Sequence, residues 1–534
     1  MAEWVFLNGR VFGHPRAEAV AVGGGRIEAI GSGAGVLERV SSKARVFDLG
    51  GRLLVPGFQD AHIHPASAGL KQLRCDIADA DGKDTALARI AEYAASHPSE
   101  PWVLGGGWSM DWFQGGIATA SDLDRVVPDR PVYLTNRDGH GAWVNSKALT
   151  LASVSASTPD PPDGRVERKE DGAPIGTLQE GAMALIEAAF PPATADDFER
   201  GLLQAGRHLL SLGITGWQDA WVTAPIHEAY LRLARRGGLV QHVVAALWWD
   251  RHRDMGQLDE LAELRESAVG RYRPTSVKLM LDGVCENFTA AMLAPYLDRN
   301  GHPTANSGID FIEPDELARI VTRLDAAGFQ CHFHAIGDRA VRHALNAVEA
   351  ARRANPDRDL RHHVAHIQVI HPGDIPRFRR LGVIANAQAY WACEEGYQVD
   401  LTIPFLGEER SRRQYPFGDL VRAGARLAMG SDWSVSTPNP LQQIEVAVNR
   451  VAPYDRDHRP FLEDQKLGLG ECFEAFTLGS AFVNHLEDVM GSIEVGKRAD
   501  LAVIDRDPFD PDTGPIGEAV VDLTMIGGTV LYER

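Results

Sequence analysis

The sequence predicts an α/β protein: a (β/α)8 TIM-type barrel with a small β-sandwich domain built from both termini and a cap insertion after barrel strand 1. In the middle of the chain, short apolar runs alternate with stretches whose apolar residues recur at helical spacing. Residues 1–56 and 486–534 instead contain short β-branched runs separated by turns, which predicts one composite β domain. Residues 57–485 would then form the barrel.

Eight apolar runs are candidates for the barrel strands, and helical segments such as "DELARIVTRLDAAG" lie between them. The first run is "LLVPGFQDAHIH". The runs cover residues 53–64, 213–220, 240–249, 276–283, 329–337, 362–368, 382–388 and 425–433. Units of one strand and one helix, repeated in this order, favour parallel strands that close into a barrel.

Two other stretches carry local predictions. Residues from about 69 to 200 break the alternation, with Gly- and Pro-rich turns and several tryptophans, and at this length we expect a functional cap rather than a structureless loop. Near the N-terminus, Asn8-Gly9 in "EWVFLNGRVF" predicts a hairpin between two short strands. Gly23–Gly25 predicts a similar turn in "AVAVGGGRIEAIG".

The composition limits the class of protein. The chain has 534 residues, 44% of them hydrophobic, and a formal net charge of −19 without a basic stripe, which argues against nucleic acid as a partner. The cysteines are far apart, so we expect no disulfide framework and a reducing compartment; they are Cys75, Cys285, Cys331, Cys393 and Cys472. We see no signal peptide and no apolar run long enough for a membrane span, so we expect a cytoplasmic protein with no membrane partner.

The stretch "GFQDAHIHPA" places His62 and His64 one residue apart at the end of an apolar run. Residues i and i+2 of a strand point to the same face, so both imidazoles would aim at one point. Two neutral imidazoles aimed at one point are a good start for a metal site. The alternative is that both are core or surface histidines bonded to the backbone.

Other predicted strands also end in side chains that carry chemistry. Lys278 lies in "VKLMLDG", His334 in "HFHAIGD", His366 in "VAHIQ" and Asp432 in "MGSDW". In a TIM barrel, residues at the carboxyl ends of the strands converge on one mouth. Together with the two histidines of the first strand they predict a metal centre there.

With these motifs the sequence resembles the amidohydrolase superfamily of metal-dependent hydrolases, and more narrowly its amidohydrolase 3 branch, which includes N-substituted formamide deformylases. Motifs over nearly the whole chain carry the resemblance: "GGRLLVPGFQDAHIHP", "GWSMDWF", "GHGAWVNSKAL", "KLMLDGVCENFTAAMLAPY", "HFHAIGDRAV", "RHHVAHIQ" and "GSIEVGKRADLAVID". The chain departs from the pattern at Gln59, where an aliphatic residue is usual, at Ala365 for Glu and at Ser434 for Pro. The Glu usually found at the position of Ala365 is not a metal ligand, so this departure affects the groups that surround the ligands more than metal binding itself.

The resemblance implies roles for these residues. One divalent ion would be held by His62, His64 and Asp432, and a second by His334 and His366. Lys278 would condense with carbon dioxide, and its carbamate would bridge the ions. The alternative for Lys278 is a plain salt bridge, for example to Asp282. Zinc is the first choice, but such sites accept several divalent ions, and the sequence leaves one ion or two open.

The resemblance also implies a mechanism, in which the metal makes water nucleophilic and Asp432 moves a proton to the leaving nitrogen. His140 would hydrogen-bond the carbonyl oxygen, and Glu180 in "TLQEGAM" is as well explained by an ordinary helix-start carboxylate. An aromatic pocket for a hydrophobic amide is expected. Its candidate residues are Trp108, Trp112, Trp143 and Trp391, and the alternative is that they pack the cap's own core.

The function predicted is therefore a metal-dependent hydrolase that cleaves a C–N bond of a small, hydrophobic N-acyl or N-formyl compound. Two alternatives are a lyase on the same metal site, by decarboxylation or retro-aldol cleavage, and a non-catalytic metabolite-binding protein. The expected partner is a small-molecule substrate, and a homodimer is left open.

Overall fold

The computed structural model describes residues 3–534 and is built around eight parallel strands, each paired with its neighbours in chain order. We number them β1 to β8. They are Phe58–Ile63, Ile214–Val222, His242–Trp248, Tyr272–Met280, Gln330–Ala335, His363–His366, Ile384–Ala387 and Leu427–Met429. The sheet confirms the predicted (β/α)8 barrel.

The barrel closes without a regular ladder between β8 and β1. The backbone N–H of Asp432, just past β8, donates to the carbonyl of His62 over 2.7 Å. The N–H of Ser431 donates to the carboxylate of Asp60 over 3.0 Å, and Asn386 donates to the carbonyl of Ala61 over 2.9 Å. These bonds link β1 to β7 and to the segment after β8, where the predicted metal ligands lie.

Helices cover the outside of the barrel because their apolar residues recur on one face and pack against the strands. The helices that follow the barrel strands are Pro65–Gln72, Ala195–Leu210, Ala224–Arg235, Gln257–Arg265, Pro314–Ala326, Asp338–Ala354, Ile375–Leu381, Phe417–Arg422 and Pro440–Asn449. Ala195–Leu210 starts with a capping box in which Thr194 and Asp197 satisfy each other's backbone N–H groups. Within residues 3–534, no helix combines the length and apolar character needed to cross a bilayer.

Two of these helices meet at a pair of glycines. A Cβ on Gly69 would overlap the carbonyl oxygen of Gly201, and a Cβ on Gly201 would lie 2.7 Å from the backbone nitrogen of Leu70. The helix Pro65–Gln72 begins directly after His64, so this close crossing fixes the segment that carries His62 and His64.

The insertion folds as a unit of its own around a six-stranded sheet. The strands, in spatial order, are Gly164–Arg168, Pro174–Glu180, Gly141–Val144, Val132–Asn136, Val103–Trp108 and Cys75–Asp76. Helices Lys83–Ser96, Ala120–Val126 and Ser146–Leu151 pack on it. The predicted limits of 69 and 200 both fall inside barrel helices, so the folded insertion is shorter than predicted.

The terminal residues form two further sheets that share a core. Trp4–Leu7, Ala19–Gly23, Arg26–Gly31 and Arg45–Asp48 form one, and Arg10–Val11, Leu53–Pro56, Leu501–Ile504, Val521–Ile526 and Thr529–Glu533 form the other. The second sheet combines strands from both ends of the chain. It also takes Leu53–Pro56, so the predicted first barrel run of 53–64 is two strands in two sheets.

The predicted hairpin at Asn8-Gly9 is wrong. Trp4–Leu7 pairs with Ala19–Gly23 in one sheet, whereas Arg10–Val11 pairs with Leu53–Pro56 in the other. Asn8 has a φ of 59°, and a Cβ on Gly9 would overlap the side chain of Leu49. The chain passes from one sheet to the other at this dipeptide. Asn8 provides the left-handed turn, and Gly9 provides the small residue that fits between the packed sheets.

Candidate metal centre

His62, His64 and Asp432 come together at the carboxyl ends of β1 and β8. Oδ1 of Asp432 lies 3.2 Å from Nε2 of His62 and 2.9 Å from Nε2 of His64. One ligand atom from each of the three lies within 4.8 Å of the others. His62 and Asp432 are buried and His64 is half-buried, so the group is held by protein on most sides.

His334 and His366 lie beside this group, at the ends of β5 and β6. Their ring centroids are 4.5 Å apart, and the ring of His366 is 4.7 Å from that of His62. The backbone of His366 has a φ of 77° and its N–H donates to the side-chain oxygen of Gln388. The structure therefore brings together all four histidines that the sequence predicts as ligands.

Lys278 is buried near the same point, in β4, where its strand neighbours are Trp248 and His332. Burial lowers the pKa of its amine to about 7, although Asp432 and Asp219 act in the opposite direction. No carboxylate of residues 3–534 forms an ion pair with it. The alternative of a salt bridge to Asp282 is wrong, because that carboxylate accepts backbone N–H groups from Ala291, Ile336 and Gly337.

Several supporting residues were not predicted from the sequence. Nδ1 of His62 lies 2.7 Å from Nε2 of His332, which leaves Nε2 of His62 to face Asp432. Asp60 accepts the backbone N–H of His62 over 3.1 Å. Oδ1 of Asp282 lies 3.2 Å from Nδ1 of His334. Groups of this kind, which contact the ligands from outside, orient metal ligands. His332 could have been found in the sequence, because it lies two residues before His334 and therefore points to the same face of the strand.

The donor set fits a divalent cation. Burial lowers the pKa of His62 and His334 well below its usual value and that of His366 to about 3, so these imidazoles are neutral and offer lone pairs. Burial alone would raise the pKa of Asp432, but His64, His366 and Lys278 together outweigh burial and lower it. Buried Nδ1 atoms of His64 and His366 have no hydrogen-bond partner within residues 3–534. Neutral nitrogens and one carboxylate are ligands that zinc and related ions prefer.

His140 approaches the centre from the insertion. Its ring centroid lies 5.5 Å from that of His334, and its Nδ1 lies 3.0 Å from both carboxylate oxygens of Glu180. Burial alone would lower the pKa of His140, but the Glu180 carboxylate outweighs it and raises the pKa to about 9. Glu180 also accepts hydrogen bonds from Asn287 and Thr289, so it is not an ordinary helix-start carboxylate.

The expectation that the tryptophans of the insertion contact substrate needs correction. Trp108 and Trp143 are completely buried, 6.1 Å apart, in the core of the insertion. Their indole N–H groups donate to the carbonyls of Leu134 and Thr119. Trp112 is half-buried against the same core. The two buried rings pack the cap because their N–H groups find backbone partners there.

Other tryptophans do lie at the centre. The ring of Trp391 stacks on that of His366, with centroids 5.3 Å apart. Trp221, 45% exposed, lies 6.5 Å from the ring of His64 and 5.5 Å from that of Trp248. The sequence interpretation missed Trp221 and Trp248, although they lie near the carboxyl ends of β2 and β3 and follow the rule that found the ligands.

Comparison with known proteins is consistent with this site. The model of the Amidohydrolase family matches residues 45–532. The chain is 30% identical to N-substituted formamide deformylase of Arthrobacter pascens, over 97% of this chain and 95% of that protein. It is 30% identical to the putative amidohydrolase YtcJ of Bacillus subtilis, over 91% and 90%. An uncharacterized metal-dependent hydrolase from Pyrococcus furiosus is 26% identical, with a TM-score of 0.71 over 95% of this chain and 99% of that one.

The chain therefore belongs to the Amidohydrolase family, and the resemblance found in the sequence is confirmed. It is an amidohydrolase enzyme, and its metal-dependent relative supports a divalent metal. The family does not favour the lyase or the non-catalytic binding protein.

Proposed function

We propose that this enzyme hydrolyses the C–N bond of a small, hydrophobic N-acyl or N-formyl amide. The observation that carries the proposal is the convergence of neutral histidines, one charged carboxylate and an unpaired buried lysine at one end of the barrel. The relative from Arthrobacter pascens is named for the deformylation of N-substituted formamides, which is a reaction of this class.

In this proposal His62, His64 and Asp432 hold one divalent ion, and His334 and His366 hold a second, with zinc as the first choice. Bound there, such ions make water nucleophilic near neutral pH and polarise a carbonyl group. A carbamate formed on Lys278 would supply a further oxygen ligand, since an unpaired amine with a pKa of about 7 is partly in the free form that condenses with carbon dioxide.

Asp432 has the geometry of a proton carrier. Its Oδ1 contacts both imidazoles of the first strand, and no group within residues 3–534 donates a hydrogen bond to its Oδ2. Oδ2 can take a proton from the attacking water and pass it to the leaving nitrogen. His140, whose Nδ1 is held by Glu180, has Nε2 free to donate to the carbonyl oxygen as attack proceeds.

The aromatic rings around the centre favour a hydrophobic substrate. Trp391 covers His366 on one side, and Trp221 and Trp248 line the mouth beside His64. Aromatic side chains bind apolar groups with large contact areas and offset ring geometries. A half-exposed Trp221 next to a ligand leaves a face for the substrate to cover.

The test is turnover of a panel of N-formyl and N-acyl amines by the metal-loaded enzyme. Amides with aromatic or long alkyl groups should be cleaved with higher kcat/KM than small polar amides. Hydrolysis in heavy-oxygen water should place one solvent oxygen in the acid product. A product without solvent oxygen, or turnover only of substrates without an amide, would overturn the proposal.

A further inference from the structure

A second cavity, of about 200 Å3, lies at the opposite end of the barrel from the metal centre. It is lined by His242, the first residue of β3, by Arg271 and Arg273 at the start of β4, and by Arg26 and Arg498 of the terminal domain. Arg271 precedes Lys278 by seven residues of one strand, about 23 Å at the usual rise of ~3.3 Å per residue. The two sites are therefore separate.

Two of the guanidinium groups that line this cavity lie close together. A Cβ built on Gly527 would lie 3.0 Å from Nη2 of Arg498 and 3.7 Å from Nη2 of Arg271, so both nitrogens lie close to one point. Nη1 of Arg271 is 3.3 Å from Nε2 of His242. Arg26 pairs with Arg498 through an isolated β-bridge, which brings a third cation alongside.

Negative charge does not balance these cations. The carboxylate of Asp500 lies 3.4 Å from Nε of Arg498 and 3.2 Å from Nε2 of His242, and it also accepts the N–H of Gly527. Within residues 3–534, Arg26, Arg271 and Arg273 form no ion pair. Four arginines and no carboxylate are among the residues that line the cavity, in a chain with a net charge of −19. Like charges held together at partial burial repel, and a bound anion removes that repulsion.

The backbone fixes two of the arginines in place. Arg26 donates from Nη1 to the carbonyl of Gly496 over 2.6 Å, and Arg271 donates from Nη1 to the carbonyl of Val240. Each guanidinium keeps further N–H groups for a ligand. A guanidinium group that is already held in position loses less conformational entropy when it binds a ligand. Its planar array of N–H groups matches the oxygens of a phosphate or carboxylate. Apolar side chains, including Met490, line another wall.

We propose that this cavity is a binding site for a small anion that carries a phosphoryl group, separate from the metal centre and its reaction. The converging guanidinium groups hold the phosphoryl oxygens, and the apolar wall contacts the organic part of a phosphate ester. The volume admits a small ligand and not a dinucleotide, since pockets for drug-sized molecules start at about 300 Å3.

Calorimetric titration of the metal-loaded enzyme with inorganic phosphate and with phenyl phosphate, at constant ionic strength, tests the site. We expect saturable binding that Arg271→Ala weakens roughly tenfold or more, the effect of losing charge-assisted hydrogen bonds. Arg273→Ala, an exposed residue whose loss leaves the core intact, should weaken binding in the same direction. Tighter binding of phenyl phosphate would assign the ligand to organic esters, and equal binding would assign it to the free anion.

Two control variants separate the cavity from other sources of binding. Arg39→Ala removes an exposed arginine outside the cavity and should leave affinity unchanged. His64→Ala removes a ligand of the metal centre, which could itself bind phosphate, and should also leave this affinity unchanged. Loss of binding in His64→Ala but in neither arginine variant, or no saturable binding by the wild type, would overturn the proposal.

Discussion

Asp432 and His366 each have a left-handed backbone, with φ of 54° and 77°. Residues other than glycine rarely adopt this conformation, and it costs about 1 kcal/mol or more for each. Both side chains face the centre of the site, where one carboxylate and one imidazole are needed. The unfavourable backbone conformation of these two residues lowers stability locally, and it directs a carboxylate and an imidazole to one point.

Asp432→Asn separates metal binding from proton transfer. An amide oxygen can still face His62 and His64, but it cannot take up the proton. Turnover should fall about 10²–10⁴-fold, the usual contribution of a positioned acid–base group, while metal content measured by atomic emission falls much less. Near-normal turnover on the true substrate would remove the proton role from this carboxylate.

Lys278→Ala should be inactive, because the proposed carbamate bridge between the two groups of ligands could not form. A short carboxylic acid added to the assay should restore part of the activity by taking the place of the carbamate. Lys278→Arg is the matched variant, since a guanidinium keeps the charge but cannot form the carbamate. An active Lys278→Arg enzyme would exclude carbamylation.

At the scale of elements, the glycine crossing of Pro65–Gln72 and Ala195–Leu210 links packing to the site. The helix that follows His64 can lie this close only because neither Gly69 nor Gly201 has a side chain at the contact. Packing density here leaves no room for one methyl group without movement of a backbone.

Gly69→Ala should therefore destabilise the fold by about 1–3 kcal/mol through overpacking, and it should weaken metal binding because His64 moves with the helix. Thermal unfolding and metal titration measure the two effects. Gly206→Ala, in the same helix as Gly201, is the matched control, since its new Cβ would meet Gln241 at 3.5 Å. It should be neutral or stabilising by about 0.5–1 kcal/mol. Equal behaviour of the two variants would contradict the crossing argument.

The elements also show what the sequence can predict. The barrel strands and the convergence of the candidate ligands were predictable, because parallel topology brings the carboxyl ends of the strands to one side, whatever the details of packing. The burial of Trp108 and Trp143 was not, since an aromatic residue in a cap serves a core or a pocket equally well. The arginine cavity was not predictable either. Its residues come from distant segments, and no single stretch of sequence carries their pattern.

At the scale of the whole molecule, acidic side chains of the insertion and of the barrel lie close enough to influence each other's pKa. Glu286, after β4, is buried and accepts a hydrogen bond from Thr402 over 2.8 Å. Its pKa is raised to about 7, mainly by burial, with Asp138 of the insertion and Glu395 adding to the effect. The pKa of one buried carboxyl group thus responds to charges from two other parts of the chain.

Glu286→Gln should stabilise the protein at pH 8 and have little effect near pH 4. In the wild type the folded carboxyl has the higher pKa, so the unfolded chain ionises first as the pH rises. Stability is then lost between about pH 4.5 and pH 7, by about 1–3 kcal/mol. Glutamine does not ionise and avoids this loss. The melting temperature as a function of pH measures the difference.

Glu409→Gln is the control for this prediction, because its side chain is 78% exposed. It should change stability by no more than about 0.5 kcal/mol at either pH. A Glu286→Gln protein that melts below the wild type at pH 8 would contradict the raised pKa assigned to this buried carboxyl group.

The contact between β1 and the segment after β8 can form only late in synthesis on the ribosome. Asp60 and Ser431, which bond across it, are 371 positions apart. At translation rates of about 5–20 residues per second, roughly 20–75 s pass between their appearances. During that interval the nascent chain presents His62 and His64 without Asp432. A nascent chain stalled before the last strand carries every proposed ligand except Asp432, and its barrel cannot close.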